Sequence, residues 1–488
     1  MGNRSKLNVL YVASEAAPLV KVGGLGDVAG SLPKALRKLS PSQIDDISLD
    51  VRLAIPFHSR ITQKLDNLQL IASFFVSHPN GPVPARAFHT IIEDVPVYLI
   101  EGGSILTDQN IYSNDTQADA RKYLFFSLAV MELIKQINWE VDILHANDWQ
   151  TALSVYDLKL RRTQDPFFKN TKSVLSMHNL PYMGAGAEPV VHEFGFSGCD
   201  CPNLPDWGRS IPLPIGMSAA DQLLTVSPNY AAEILTPEYG CGLQDFLENR
   251  KESVGGILNG IDEEIWNPES DTAIHHNYNI KKIEHRSKNK TALQTELGLE
   301  KDANIPLIIL ISRMDQQKGI DIAINGLRMV MDLPLQMVFL GTGDPFIEAS
   351  CRSLESEFPD KVRSVLRFDL NLSRRMYAGG DILLIPSRYE PCGLTQMIAM
   401  RYGCVPLARA TGGLKDTIID SPNNSANNGF LFADANEESF ASTMRRAVHK
   451  FARKIEWKEL QINGMSTDFS WEKSAIEYAK IYLKLKGV

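Results

Sequence analysis

Lys21-Val22-Gly23-Gly24-Leu25-Gly26-Asp27 is the stretch whose reading decides the fold. Ahead of it, residues 7–13 (LNVLYVA) form a short apolar run with the character of a buried strand. Residues 14–20 then lead into a turn whose three glycines are expected to leave backbone N–H groups open to a ligand. From Asp27 onward the pattern is helical (DVAGSLPKALRKL), with Asp27 as the expected N-cap. Strand, glycine turn and helix start together make an anion-binding corner, and Lys21 adds a mobile positive charge beside it. The glycines alone would serve a plain tight turn equally well, so the rest of the chain has to decide.

Working outward, strand-like runs recur at 49–55, 95–101, 141–145, 173–177 and 222–226, separated by amphipathic stretches such as 118–136 and 151–162. That alternation predicts a parallel sheet covered by helices. Residues 86–92 and 95–101 flank Glu93-Asp94 and read as an antiparallel hairpin added to this sheet. The pattern restarts after Asn259-Gly260-Ile261-Asp262, with strands expected at 306–312, 335–341, 364–368, 382–386, 405–410 and 430–432. Two α/β halves follow. The run Gly412-Gly413-Leu414-Lys415-Asp416 in the second half echoes the glycine turn of the first. Ligands of open α/β sheets bind beyond the C-terminal strand ends, so two facing halves would bring both turns to one cleft. Residues 197–214 are rich in Pro and Gly and are expected to form an irregular connection able to act as a lid, and 423–428 an exposed loop.

Composition narrows the class. A chain of 488 residues exceeds one core, and its net charge of −8 opposes a general nucleic-acid or membrane-surface binder. Any anionic ligand must be held by local cations and amides. The six cysteines are scattered, and the close pair Cys199-Asp200-Cys201 has no counterpart to complete a zinc site, so reduced structural thiols are expected. No apolar signal segment precedes the first strand, and no apolar run has membrane-spanning length. Met1-Gly2 meets a myristoylation pattern only superficially, because Lys6 stands where Ser or Thr is required.

Four further motifs carry chemistry. In Ser312-Arg313-Met314-Asp315-Gln316-Gln317-Lys318-Gly319, Arg313 and Lys318 follow a strand end, where two cations suit a departing diphosphate; a solvated surface pair is the plainer alternative. In Pro386-Ser387-Arg388-Tyr389-Glu390-Pro391-Cys392-Gly393-Leu394-Thr395-Gln396, a helix start near Cys392 can face phosphate while Glu390 bonds sugar hydroxyls or merely caps. His145-Ala146-Asn147-Asp148-Trp149 and His178-Asn179-Leu180-Pro181-Tyr182 follow successive apolar strands; each histidine is either a packing residue or part of a polar cleft wall. No Asp-x-Asp pair and no metal-spaced His/Asp cluster occurs, so no metal site is expected and neutralisation of a diphosphate falls to Arg313, Lys318 and helix dipoles.

Taken together, KVGGLGDV, HANDW, TPEYGCGL (236–243), ILNGID (257–262), SRMDQQKG, PSRYEPCGLTQ and ATGGLKDT resemble the bacterial glycogen synthase and plant starch synthase family over nearly the whole length. The resemblance implies an α/β, type B glycosyltransferase fold: two Rossmann-like domains facing across a cleft. Their expected limits are 1–255, joined by a crossing helix at about 466–488, and 256–465. It also implies a retaining, metal-independent transfer of glucose from a nucleotide sugar, usually ADP-glucose, to the non-reducing end of an α-1,4-glucan. No bound cofactor is implied, nor any nucleic-acid or membrane partner. By matching positions, Lys21, Gly23 and Gly24 would contact the diphosphate and the acceptor side of the glucose, and Arg313 and Lys318 would hold the diphosphate. Glu390 would bind the donor glucose; His178 would stand beside the anomeric carbon. Asn259, Cys392, Gly393, Leu394, Thr395, Thr411, Gly412 and Gly413 would line the donor site, with Phe368 stacking on the base where many relatives carry Tyr. Asn147 stands at a position that is frequently His, and residues 184–217 depart from the family pattern beside the acceptor. A short or non-glucan acceptor, or a glucan-binding scaffold with weak catalysis, are the competing readings. A cytoplasmic enzyme, or a plastid-stromal one in a plastid-bearing source, is expected.

Overall fold

The computed structural model describes residues 6–61, 65, 67–103, 105, 110–421 and 424–488. Met1, Gly2 and Asn423, on which two of the expectations above fall, lie outside the described residues. The chain divides into two compact units, Met1–Gly260 with Trp471–Val488, and Ile261–Ser470.

The first unit is built on a nine-stranded sheet. Its strands are β1 (Lys6–Val12), β2 (Ser48–Pro56), β3 (Gln69–Val76), β4 (Val83–Ile92), β5 (Val95–Gly102), β6 (Ile143–Asn147), β7 (Lys172–Met177), β8 (Gln222–Thr225) and β9 (Val254–Gly256). They lie in the order β3-β4-β5-β2-β1-β6-β7-β8-β9. The strands from β5 to β9 run parallel, and β4 and β3 close one edge as antiparallel additions. Glu93 and Asp94 both take positive φ (47° and 67°), which fits a two-residue hairpin turn between β4 and β5. Strands buried on both faces explain the near-continuous apolar runs of β1, β6 and β7.

Two of these strands carry weak sequence signals. β3 is an edge strand with Leu70 and Phe75 exposed, so its apolar residues do not alternate cleanly. β9 is Val-Gly-Gly; a Cβ at Gly256 would come within 2.0 Å of the Ser227 carbonyl oxygen, so close backbone approach demands the glycine.

The second unit holds a six-stranded parallel sheet. Its strands are β10 (Leu307–Ile311), β11 (Gln336–Leu340), β12 (Val362–Val365), β13 (Ile382–Ile385), β14 (Val405–Arg409) and β15 (Phe430–Phe432), ordered β12-β11-β10-β13-β14-β15. The strand order reverses between β10 and β13, and in the first unit between β1 and β6. In open α/β sheets such a reversal, at the C-terminal edge of the strands, is where ligands bind.

Some expectations need correction. Helix Gly24–Lys38 begins three residues before Asp27, so its N-cap is Gly23 and Asp27 sits in the first turn. β6 starts two residues later than expected, which puts His145 inside the strand instead of at its end. β12 ends at Val365, so Phe368 is off the strand. Residues 197–214 are not a lid. Cys199, Leu204, Ile211 and Leu213 are buried in the core of the first unit, and 212–219 is helical.

Candidate active site

In the second unit the reversal of strand order brings the ends of β10 and β13 side by side. After β10 the chain turns through Asp315, whose carboxylate accepts from the Lys318 N–H at 3.2 Å, into Gly319. Gly319 has φ 62°, and a Cβ there would lie 2.0 Å from the Pro386 carbonyl oxygen, so the two loops are in backbone contact. That contact delivers Lys318 to Glu390. The ammonium donates to both carboxylate oxygens at 2.7 and 3.0 Å, and Ser387 Oγ donates to Oε2 at 2.8 Å. Glu390 is buried and Lys318 mostly so. Arg313, by contrast, is exposed and pairs with Asp315 at 3.2 Å.

The segment after Glu390 is braced from behind. Gly412, with φ 45°, would place a Cβ 1.9 Å from the Glu390 carbonyl oxygen, and Gly413 one 2.2 Å from that of Cys392. The Gly413 N–H donates to the Glu390 carbonyl at 3.1 Å. These glycines are therefore needed for backbone contact with the 390–392 loop, at the start of helix Gly412–Thr417, whose N-cap Thr411 is buried. Gln396 ties the same loop down, donating to the carbonyls of Cys392 (3.0 Å) and Gly393 (2.9 Å). Gly393 takes φ 73°, Cys392 is buried, and Leu394 precedes helix Thr395–Arg401 as its N-cap. Phe368 stands 83% exposed, a free aromatic face.

In the first unit, His178 follows β7 and is partly exposed. Its Nε2 lies 2.9 Å from Asn147 Oδ1, which also accepts the Tyr11 hydroxyl at 2.9 Å, while Asn147 Nδ2 donates to the Val12 carbonyl at 2.9 Å. With the amide so oriented, Nε2 carries the proton of a neutral imidazole and Nδ1 is left as an acceptor. Burial pushes the His178 pKa down, opposed by Asp148. Asp148, at φ 55°, accepts the His178 N–H at 2.7 Å, so it fixes the backbone that carries the histidine. Asn259 is buried in the loop after β9, and among the described residues its Oδ1 has no hydrogen-bond partner.

His145 is not a wall of the site. It is fully buried, with Nδ1 2.6 Å from the Tyr482 hydroxyl and Nε2 2.7 Å from Ser176 Oγ. Burial pushes its pKa down to about 3. The unfolded chain takes up a proton near pH 6.5 that the folded chain refuses until about 3, so stability rises with pH across that window and is lost on acidification. The expected slope is about 1.4 kcal/mol per pH unit inside the window. Denaturant melts at about pH 7 and about pH 5 check it, and His145→Gln should remove most of the difference.

The glycine turn also differs from expectation. The Val22 and Gly23 N–H groups are not open; both donate to the carboxylate of Glu15. Lys21 is half exposed and paired with Asp27 at 2.7 Å. Gly24 is the first residue of its helix. Sequence reasoning gave Glu15 and Tyr112 no place and left Ser387 and Asp148 without roles. The one available signal was position: Glu15 is an acid between a buried strand and a glycine turn. Among the described residues no group of three or more His, Cys, Asp or Glu is arranged to hold a metal, and no helix is long and apolar enough to cross a membrane.

Residues 8–249 match the family described as Starch synthase catalytic domain, and residues 295–459 that described as Glycosyl transferases group 1. A glycogen synthase of Thermosipho melanesiensis is 37% identical over 98% of this chain and 99% of its own length. The chain belongs to the glycogen and starch synthase family. It is accordingly a glycosyltransferase. The catalytic domain of starch synthase IV from Arabidopsis thaliana, bound to ADP and acarbose, superposes with a TM-score of 0.86 at 32% identity, covering 99% of this chain and 100% of that one. Sucrose-phosphate synthase from Thermosynechococcus elongatus matches at TM-score 0.61 with 17% identity over 99% of both chains, a likeness of fold alone. Both are consistent with two α/β units of the type B glycosyltransferase fold.

Proposed function

We propose that this glycogen/starch synthase family member moves glucose from ADP-glucose to the non-reducing end of an α-1,4-glucan, with retention of configuration. The observation that carries the reading is the Lys318–Glu390 pair at the strand-order reversal of the second unit. One member is a cation suited to a leaving diphosphate, and the other is a carboxylate that accepts hydrogen bonds from sugar hydroxyls. ADP bound in the related starch synthase IV supports an adenine nucleotide as the leaving group.

On this reading Lys318 and Arg313 stabilise the charge that grows on the diphosphate as its oxygen leaves the anomeric carbon. Lys21 is a further cation for the diphosphate, and the loops of Gly393–Thr395 and Thr411–Gly413 border the phosphates. Glu390 orients the glucose, Phe368 stacks on the base and Asn259 contributes a polar group to the donor site. His178 stays neutral, and its unprotonated Nδ1 and backbone carbonyl favour positive charge at the anomeric carbon. The acceptor hydroxyl attacks from the face the diphosphate vacates, and its proton passes to the departing phosphate oxygen. The enzyme's share is positioning and electrostatics. A compartment holding ADP-glucose, bacterial cytoplasm or plastid stroma, is the setting this chemistry requires.

The test is ADP and UDP release from ADP-glucose and UDP-glucose, each with and without maltoheptaose. ADP release that depends on maltoheptaose is expected, and EDTA should leave its rate unchanged. Donor hydrolysis indifferent to maltoheptaose would overturn the glucan acceptor.

A further inference from the structure

The Lys21 turn holds an acidic residue that the proposed mechanism does not use. Glu15 is 1% exposed, and its carboxylate accepts from the N–H groups of Val22 and Gly23, the latter at 3.2 Å from both oxygens. The Tyr112 hydroxyl donates to Oε1 at 3.2 Å and is itself 2.8 Å from Ser14 Oγ. The turn is shaped around this carboxylate. A Cβ at Gly26 would lie 3.1 Å from Glu15 Oε2 and 3.0 Å from Lys21 Cγ, and one at Gly23 3.4 Å from Oε1. The Gly26 carbonyl in turn accepts the Ala17 N–H at 2.9 Å.

These bonds bracket Lys21. On one side the Val20 N–H donates to the Ala16 carbonyl at 2.9 Å; on the other the Val22 N–H is held by Glu15. The backbone of Lys21 is thus pinned at both neighbours, while its ammonium, paired with the partly exposed Asp27, stays free to exchange partners. A glycine turn at a helix start would otherwise offer its amides to any anion. Here an internal anion already occupies two of them, and its charge repels a phosphate from the same spot. Burial raises the proton affinity of Glu15, and the hydrogen bonds from Val22, Gly23 and Tyr112 oppose that rise.

We propose that Glu15 is a positioning residue for Lys21: it fixes the turn by occupying the Val22 and Gly23 amides, so that the turn offers a donor phosphate the Lys21 ammonium and not those two N–H groups. The inference rests on the proposed use of a nucleotide-sugar diphosphate, and the experiment separates the two. Amide hydrogen exchange of residues 20–24 is measured in the wild-type full-length chain, in Glu15→Gln and in Glu15→Ala, without any ligand. The Val22 and Gly23 amides should exchange about tenfold faster or more in the variants. Donor KM for ADP-glucose is then measured in Lys21→Ala, Glu15→Gln and the double variant. Glu15→Gln is expected to raise donor KM by about tenfold, the scale of one charge-assisted hydrogen bond, with a smaller change in kcat. Because Glu15 acts through Lys21, adding Glu15→Gln to Lys21→Ala should change KM little further.

Additive effects in the double variant would overturn the proposal, as would unchanged exchange at Val22 and Gly23. A Glu15→Gln protein with faster exchange and unaltered KM would overturn it too. If Glu15→Ala fails to fold, Glu15→Gln, of nearly the same volume, carries the test alone. A wild-type protein that ignores ADP-glucose would defeat the proposed function, while the exchange experiment would still report whether Glu15 holds the turn.

Discussion

Glu390→Ala is expected to reduce glucan synthesis by about a hundredfold to a thousandfold, the range found when one preorganised polar group at a reacting centre is removed. It should also destabilise the second unit, because Glu390 is not an open surface acid. Its carboxylate is buried and neutralises Lys318 at 2.7 Å, with Ser387 as a third member. Removing one partner of such a pair leaves the other charge desolvated, at a cost of about 3 kcal/mol. Lys318→Ala should behave alike for the converse reason. The double variant Glu390→Gln/Lys318→Met separates the two effects, since replacing both charges by groups of similar volume recovers stability without recovering activity. Initial rates of ADP release and denaturant melts on the same preparations give both readouts. Glu390→Ala turnover within tenfold of wild type would remove Glu390 from the site.

The pairing also explains why the second unit was more legible in sequence than the first. Arg313, Lys318 and Glu390 come from two compact motifs, each placed directly after an apolar strand, and the reversal of strand order at β10 and β13 is enough to bring Lys318 and Glu390 together. The hairpin turn at Glu93-Asp94 and the strands β1, β2, β5, β7 and β8 were readable for a similar reason: their apolar runs are local and bounded. What stayed hidden depends on partners distant in sequence. Tyr112 lies 97 residues from Glu15, and nothing in either neighbourhood announces their hydrogen bond. His145 was ambiguous because a buried histidine and a cleft histidine look the same in a motif. Its partner Tyr482 is 337 residues away, on the last helix. The glycine turn was recognised, yet its amides were assigned to a ligand because an internal carboxylate cannot be told from an external one by spacing. Glycines 412 and 413 likewise serve a need that spacing does not show: their lack of side chains is required by the Glu390 and Cys392 carbonyls behind them.

Truncation after Ser470 is expected to unfold the first unit, although the removed segment follows the second unit in the chain. Helix Trp471–Lys486 packs into the core formed by β1, β2 and helix Gly24–Lys38. Trp471, Tyr478, Tyr482 and Leu483 are buried there, together with Ala475 and Ala479. Burying each large side chain is worth about 1.5–3 kcal/mol, so these four alone approach the whole net stability of an ordinary domain, about 5–15 kcal/mol. Polar ties add to the loss. Without Tyr482, buried His145 loses its Nδ1 partner; without Ser474, the Leu258 carbonyl loses a 2.6 Å hydrogen bond. Lys486 also pairs with Asp142 at 3.1 Å and donates to the Asn170 carbonyl at 2.8 Å. Loss of the helix would leave β1 and β6, which carry the Glu15 turn and Asn147-Asp148, without one covering layer. The truncated chain should therefore be insoluble or lack a cooperative melt of its first unit, while Tyr482→Phe, which keeps the ring and loses only the hydroxyl, should cost about 1–2 kcal/mol. Retention of the wild-type melting profile by the truncated chain would show that the helix is dispensable to this core, and that the buried aromatic side chains contribute far less than their burial implies.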